Sequence, residues 1–549
     1  VNAAEGPRAF LRLAVRVRIV ATKEIDPLMT RSGFASEFSN KRKRTDIYAY
    51  SVIVGIVTGL IVVSYRSAIS FLEERRIDFL HGAASSVPVS LAWIAIAAAV
   101  GALVYLLVRA APYIKGSGIP QVKASLMRRI QPLWKKELPF KFAGGSLALG
   151  VGFSLGREGP SIQLGALAGE AIGELARRSE YKRYLVTAGA AAGISAAFNA
   201  PLAGVLFCVE ELHKNVSPTM LTSSLIASFC ANAVMWTFYG NSPVFGISLA
   251  STLPLNLYFS AILFIGVVSG ALGSLFNRGL LAFQAAYKRI APNDALRLVS
   301  AFAAVAAVSL LVPALAGGGD KIIASIGQAH MTLWPVAALL VGKMAFTLFS
   351  YASGAPGGIF LPMLAIGALI GAFSTSLFEA IGIPSVYLMN YVLIGMVGFF
   401  TAVVRAPITG AVLITEMAGS FAHFPAFILV SVIASLVSGI LKTKPIYDSL
   451  LAQIAPERST AQNSRPTILH IPVLEGSILE TCARAQESLP AGCILVSVER
   501  GEEDLFPSAG LDILPGDVLH IVVEKGSAHS LKERLIALGQ AHADCVECE

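Results

Sequence analysis

The chain has 549 residues, of which 55% are hydrophobic and 14% charged, with a net charge of +8 and a mean hydropathy of +0.67. A soluble domain carries roughly a quarter charged residues and no long apolar runs, so the composition points to a chain that lives in lipid. The basic excess flanks apolar segments instead of lining one polar face, which argues against nucleic-acid binding.

In chain order, residues 1–45 form a basic segment. Its residues 9–20 mix Arg with aliphatic side chains, a pattern open to an interfacial helix or to a tail. The order of residues shows no leader with a cleavage site. Lys41, Arg42, Lys43 and Arg44 stand just before the first apolar run, and such clusters stay cytoplasmic. Apolar runs then recur, at Ile47–Val63, Leu91–Val108, Leu257–Leu275, Leu298–Leu315, Leu333–Leu348 and Pro425–Leu441. Several approach the roughly 20 residues that span a bilayer as a helix. Others are cut by Gly or Pro, which predicts tilted, re-entrant or half-spanning helices. The expectation is an all-α polytopic protein over 46–455, with both termini cytoplasmic.

The chain repeats itself. Residues 55–69 (GIVTGLIVVSYRSAI) resemble 266–280 (GVVSGALGSLFNRGL), and 200–210 (APLAGVLFCVE) resemble 406–416 (APITGAVLITE). The offsets, 266 − 55 = 211 and 407 − 201 = 206, are close enough to predict two homologous halves at about 46–250 and 255–455. Between them, GREGPSIQLGALAG (156–169) aligns with GAPGGIFLPMLAIG (354–367). Repeated transporters place substrate where broken helices of the two halves meet near the bilayer midplane. Helix N-termini carry free N–H groups and a partial positive charge, so such a meeting point favours an anion. Gly-rich segments at 116–120, 156–160 and 354–358 each precede an apolar helical stretch, although glycines also serve close helix packing.

Four motifs carry the chemistry: Gly116-Ser117-Gly118-Ile119-Pro120, Gly156-Arg157-Glu158-Gly159-Pro160, Gly357-Gly358-Ile359-Phe360-Leu361-Pro362, and Tyr447 in KPIYDSLL. In this order and spacing they resemble the CLC family of chloride channels and proton-coupled chloride exchangers, over roughly residues 46–455. The resemblance implies two inverted-topology repeats, a homodimer, and chloride as the transported ligand, with no cofactor and no metal. It implies a central chloride contacted by the Ser117 hydroxyl, by the Ile359 and Phe360 amides and by the Tyr447 phenol. An outer anion would be held by amides near Gly159. A neutral donor suits a weakly hydrated anion because it replaces water without trapping the ion.

Glu158 is an acid inside an apolar half, and intramembrane acids are functional by default. Sharing chloride's charge, it can occupy an anion site and leave it on protonation. The resemblance makes it the gate and a proton carrier, with Arg157 offsetting its charge. Glu210 and Glu211 end an apolar run, and the resemblance implies that Glu211 relays protons from the cytoplasm. Solvated acids at a helix end are the plain alternative. Lys141 adds positive potential or else snorkels to the interface. Keeping both acids favours exchange over a passive channel. The intact first two motifs argue against the fluoride-exporting branch.

After Tyr447 the composition changes. Residues 456–466 read as a linker and 467–549 as a small α+β domain and tail. Strands are predicted at Ile468–Leu474, Ile494–Glu499 and Val518–Val523, helices near 477–488 and 528–538, and a turn at Leu514–Asp517. The pattern resembles the C-terminal subdomain of regulators of potassium conductance, which implies dimerisation and a small anionic regulator. Cys208 and Cys230 read as core residues. His542, Cys545 and Cys548 have metal-ligand spacing but no obvious fourth partner. A membrane protein whose C-terminal module senses a ligand remains an alternative. An enzyme does not, because no nucleophile–base set is present.

Overall fold

The computed structural model describes residues 31–83, 86–214, 217–241, 255–327, 332–456, 466–474, 489–490, 492–501, 503–507, 511–524 and 528–540. The 9–20 segment, the helix expected near 477–488 and the His542/Cys545/Cys548 run lie outside the described residues. The chain divides into two compact units, meeting in sequence at Leu450 and Leu451.

The first unit is helical. Helix α1 (Arg31–Ala83) begins within the basic segment and runs unbroken through the first apolar run. There follow α2 (Val87–Ala110), α3 (Ile119–Leu126), α4 (Trp134–Val151), α5 (Glu158–Leu175), α6 (Lys182–Phe198), α7 (Pro201–Phe207) and α8 (Pro218–Tyr239). The second half contains α9 (Leu255–Ile290), α10 (Asp294–Leu311), α11 (Asp320–Ile326), α12 (Leu333–Ala352), α13 (Phe360–Glu379), α14 (Leu388–Val404), α15 (Pro407–Ala418) and α16 (Phe424–Ile440). The order repeats element for element. Even short 3₁₀ turns recur, Pro112–Ile114 with Pro313–Leu315 and Ser179–Tyr181 with Ser385–Tyr387. Helices α6 and α14 have the same length, 17 residues, and both end on a left-handed residue, Asn199 and Arg405. Each is followed by a helix that starts on Pro, where the missing N–H costs nothing.

Among the described residues, eight helices are long and apolar enough to cross a membrane. The expected run Leu298–Leu315 breaks where Pro313 opens a 3₁₀ turn. Helices α3, α7, α11 and α17 (Ile446–Ile454) are too short to span. Large apolar side chains such as Leu91, Leu106, Trp334, Val341 and Ile440 are exposed, as lipid-facing residues are.

Close packing follows the repeat too. A Cβ on Gly165 of α5 would strike the Gly189 carbonyl of α6, and one on Gly367 of α13 would strike the Gly395 carbonyl of α14. Small residues let these backbones touch. The halves meet at a short antiparallel bridge: Gly156 N–H donates to the Gly358 carbonyl (2.6 Å) and Gly358 N–H to the Gly156 carbonyl (2.8 Å). Each glycine stands two residues before its helix, α5 or α13, so the structure shifts the counterpart of 156–169 from the expected 354–367 to 358–371. A reciprocal pair between glycines so placed is what a two-fold relation between halves produces.

The second unit holds a four-stranded antiparallel sheet, β1 (Pro466–Pro472), β2 (Ile494–Arg500), β3 (Glu503–Leu505) and β4 (Val518–Glu524), in the order β1-β4-β2-β3. All three expected strands and the second expected helix, α18 (Ala528–Gln540), are present. One sheet face carries Leu469, Ile471, Leu495, Leu519, Ile521 and Val523, packed with Leu531 and Leu535 of α18. The turn before β4 closes at Gly516, with φ of +90°.

Candidate functional site

Three helix starts, those of α3, α5 and α13, converge around the Gly156–Gly358 bridge. The first loop turns on Gly116 (φ +67°) and Gly118 (φ +97°), left-handed positions that favour glycine. It delivers Ser117 just before α3, whose second residue is Pro120. Ser117 lies against the first turn of α5: a Cβ on Gly159 would come 2.5 Å from its Oγ. Gly159 in turn faces Gly358. The Gly357 N–H donates to the Gly116 carbonyl (3.0 Å), tying the first motif to the third. Ile359 caps α13 and Phe360 opens it.

The Phe360 ring is buried among Phe198 (4.8 Å between centroids), Phe400 (4.7 Å) and Phe207 (6.1 Å). Phe207 meets the Tyr447 ring edge-on at 6.4 Å. Tyr447 thus joins the other motifs through an aromatic wall. Ser117, 1% exposed, and Tyr447, 0% exposed, each bury a hydroxyl that bonds no protein group among the described residues. A buried donor without a partner costs about 1–3 kcal/mol, a cost that a bound anion would remove.

Glu158 is the first residue of α5 and is buried. Its carboxylate lies over Gly156, beside the amide of Leu361, the second residue of α13. One carboxylate oxygen has no hydrogen-bond partner among the described residues. Arg157 Nε stands 4.0 Å from the other, a distance at which it offsets charge without a tight pair. The carboxylate therefore sits at the N-terminus of a helix from the opposite half, a seat suited to any anion.

Glu210 and Glu211 occupy a π-turn, Cys208–His213, that continues α7. They part company there. Glu210 accepts from Thr409 N–H (2.8 Å), Thr409 Oγ1 (2.7 Å) and Ile408 N–H (3.3 Å), capping α15. Glu416 of α15 returns the contact, accepting from Ala203 N–H (2.8 Å) and Leu202 N–H (3.1 Å) of α7. Glu211 is buried and pairs with Lys123 Nζ at 2.7 Å. Neither acid is a freely solvated helix end. Lys141 is fully buried, so it does not snorkel. Its Nζ donates to the Ile114 (2.8 Å) and Gly116 (2.7 Å) carbonyls, setting a cation behind the Ser117 loop.

The structure thus brings Ser117, Glu158, Gly159 and Ile359 to one place and links Phe360 to Tyr447. Sequence reasoning missed Phe198, Phe207 and Phe400, which look like ordinary apolar residues in apolar helices. It also missed Tyr351, whose hydroxyl faces the Ser117 amide, and the partners of Glu211. Lys123 lies beyond the Pro120 that ends the first motif, and Asp448 comes directly after Tyr447. Neither marks itself as a partner of Glu211, so only folding joins the three.

Residues 96–439 match the family model described as voltage gated chloride channel. The H(+)/Cl(-) exchange transporter ClcA of Salmonella typhimurium is 33% identical over 428 residues, covering 75% of this chain and 89% of the relative. The protein of that description from Citrobacter koseri is 33% identical over 431 residues, covering 76% and 90%. The crystal structure of a slow cyanobacterial Cl-/H+ antiporter superposes with a TM-score of 0.71 at 29% identity, covering 75% of this chain and 98% of that one. A CLC-type fluoride/proton antiporter, at 23% identity and a TM-score of 0.62, covers 73% of this chain and 97% of its own, and shares the fold. With its duplicated helices and facing helix starts, the chain belongs to the CLC family of voltage gated chloride channels.

Proposed function

We propose that this chain exchanges chloride for protons across a lipid bilayer, with Glu158 as the moving gate. The observation that carries the reading is the place of the Glu158 carboxylate, at the amide end of α13 and opposite Ser117 and Gly159. A carboxylate there competes with chloride for one seat. Taking up a proton removes its charge, frees the seat, and couples the two ions. Ser117, Ile359, Phe360 and Tyr447 serve chloride with neutral donors, and Glu211 passes protons to and from the cytoplasm. The relatives named as H(+)/Cl(-) exchange transporters support exchange over a channel. The protein works as a homodimer in the cell membrane, with the basic end of α1 on the cytoplasmic side. Its sheet domain is a regulatory module for a small anion. Reversal potential in a pH gradient tests the exchange: a shift with pH is expected, and a potential that follows chloride alone would leave a channel.

A further inference from the structure

We propose that Asp448 is the cytoplasmic proton port of this chain, handing protons to Glu211 through Lys123. The proposal rests on Glu211 being the proton relay and adds the step before it. Lys123 Nζ lies 2.7 Å from Glu211 Oε1 and 2.6 Å from Asp448 Oδ1. The Lys123 and Glu211 side chains are 1% and 4% exposed, so neither meets water directly, whereas the Asp448 side chain is 32% exposed. The other Asp448 oxygen, Oδ2, bonds Lys214 Nζ at 2.9 Å, and the Lys214 side chain is 56% exposed. One chain of contacts thus runs from solvent to the buried acid.

The nearby alternatives are occupied. Both Glu210 oxygens accept hydrogen bonds at the start of α15. His213 Nε2 bonds Thr187 Oγ1 at 2.7 Å, and Nδ1 faces Arg183. Lys123 and Glu211, the two buried charges, are opposite in sign, and Asp448 and Lys214 continue the alternation out to solvent.

The step balances. Asp448 takes a proton from cytoplasmic water and becomes a neutral acid. It gives that proton to Lys123 nitrogen as the ammonium gives one of its own to Glu211. Lys123 ends as it began, Asp448 is again a carboxylate, and Glu211 is neutral. Neutral Glu211 has lost its attraction to Lys123 and can release the proton inward. Asp448 also follows Tyr447 directly, so the port opens beside the aromatic wall.

Purified protein in liposomes, with chloride and proton fluxes recorded together, tests this. Asp448→Asn should slow proton flux by about tenfold or more while chloride still moves, so the chloride-to-proton ratio rises. Asp448→Glu, which restores a carboxylate, should return the ratio toward wild type, and Lys123→Met should behave like Asp448→Asn. Glu211→Gln separates the two levels. If it stops protons while Asp448→Asn keeps the wild-type ratio, the port alone is overturned. If Glu211→Gln keeps the wild-type ratio, the relay reading falls and the port with it. Parallel loss of both ions in Asp448→Asn, not restored by Asp448→Glu, would make Asp448 a structural residue and overturn the proposal.

Discussion

Lys343 repeats in the second half the contacts that Lys141 makes in the first. Its Nζ donates to the Leu315 (3.0 Å) and Gly317 (2.6 Å) carbonyls, the counterparts of Ile114 and Gly116. Both lysines are fully buried on equivalent helices, α12 and α4. Each holds the carbonyl end of a 3₁₀ turn, so that the amides beyond it point onward to the next helix start. The halves differ in the loop beyond that turn. Gly116-Ser117-Gly118 becomes Gly317-Gly318-Gly319, and the hydroxyl is present in the first half alone.

That asymmetry predicts different outcomes for one substitution. Lys343→Met removes the lysine donor from the Leu315 and Gly317 carbonyls. Lys141→Met removes it from Ile114 and Gly116, where the Gly116 carbonyl keeps the Gly357 N–H. Each buried carbonyl left without a donor costs about 1–3 kcal/mol. Both should lower the unfolding temperature in detergent. Only Lys141→Met should also weaken chloride binding, because its carbonyls carry the Ser117 loop. Calorimetric titration with chloride checks this, and equal affinity in the two variants would detach Lys141 from the site.

Glu158→Gln keeps the shape of the side chain and removes its charge. Occupancy of a seat governed by one titrating acid changes by at most about tenfold per pH unit. Chloride flux should therefore lose its pH dependence in the variant, and proton pumping by a chloride gradient should stop. Continued uphill proton uptake would remove Glu158 from the gate.

The Ser117 hydroxyl has an expected cost of its own. One neutral hydrogen bond contributes about 0.5–1.5 kcal/mol, a factor of roughly 2–10 in relative affinity. Ser117→Pro should lower the preference for chloride over nitrate by about that much. Because Pro also removes the amide that faces Tyr351, Ser117→Ala is the control for the hydroxyl alone. Unchanged selectivity in both variants would take Ser117 out of the selectivity argument.

The duplication was legible because whole segments recur at similar offsets, in mid-helix at 55–69 and 266–280 and at helix starts at 200–210 and 406–416. Ser117, Glu158 and Phe360 were legible because they stand beside the glycines and prolines that punctuate helix starts. The aromatic wall was not, since Phe198, Phe207 and Phe400 come from three helices and nothing in their own sequence surroundings sets them apart from packing residues. The pairing of Glu211 was hidden for a related reason. Lys123 and Asp448 are separated by 325 residues, and a charged residue near a helix end reads as solvated until folding buries it. Lys141 was seen as either a field source or a snorkelling side chain, and the pair of carbonyls that holds it exists only in the folded loop.

The sheet domain carries an ion pair of its own. Arg500 donates to both Asp517 oxygens (2.8 Å each) and the Leu514 amide to one of them (2.9 Å). These bonds, the Arg500 side chain first, hold the Asp517 carboxyl below its ordinary value of 3.8. Because the folded-state value is the lower one, the pair stabilises the fold at neutral pH. That contribution fades as pH falls below the unfolded value and on through the folded one. Asp517→Asn removes the charge but leaves an acceptor, so it should speed amide exchange in β4 at pH 7. The gap between variant and wild type should narrow below about pH 4. Hydrogen exchange across that range, on the full chain, reads the effect. A gap that stays constant down to low pH would show that Asp517 holds the Leu514–Asp517 turn through its shape and not its charge.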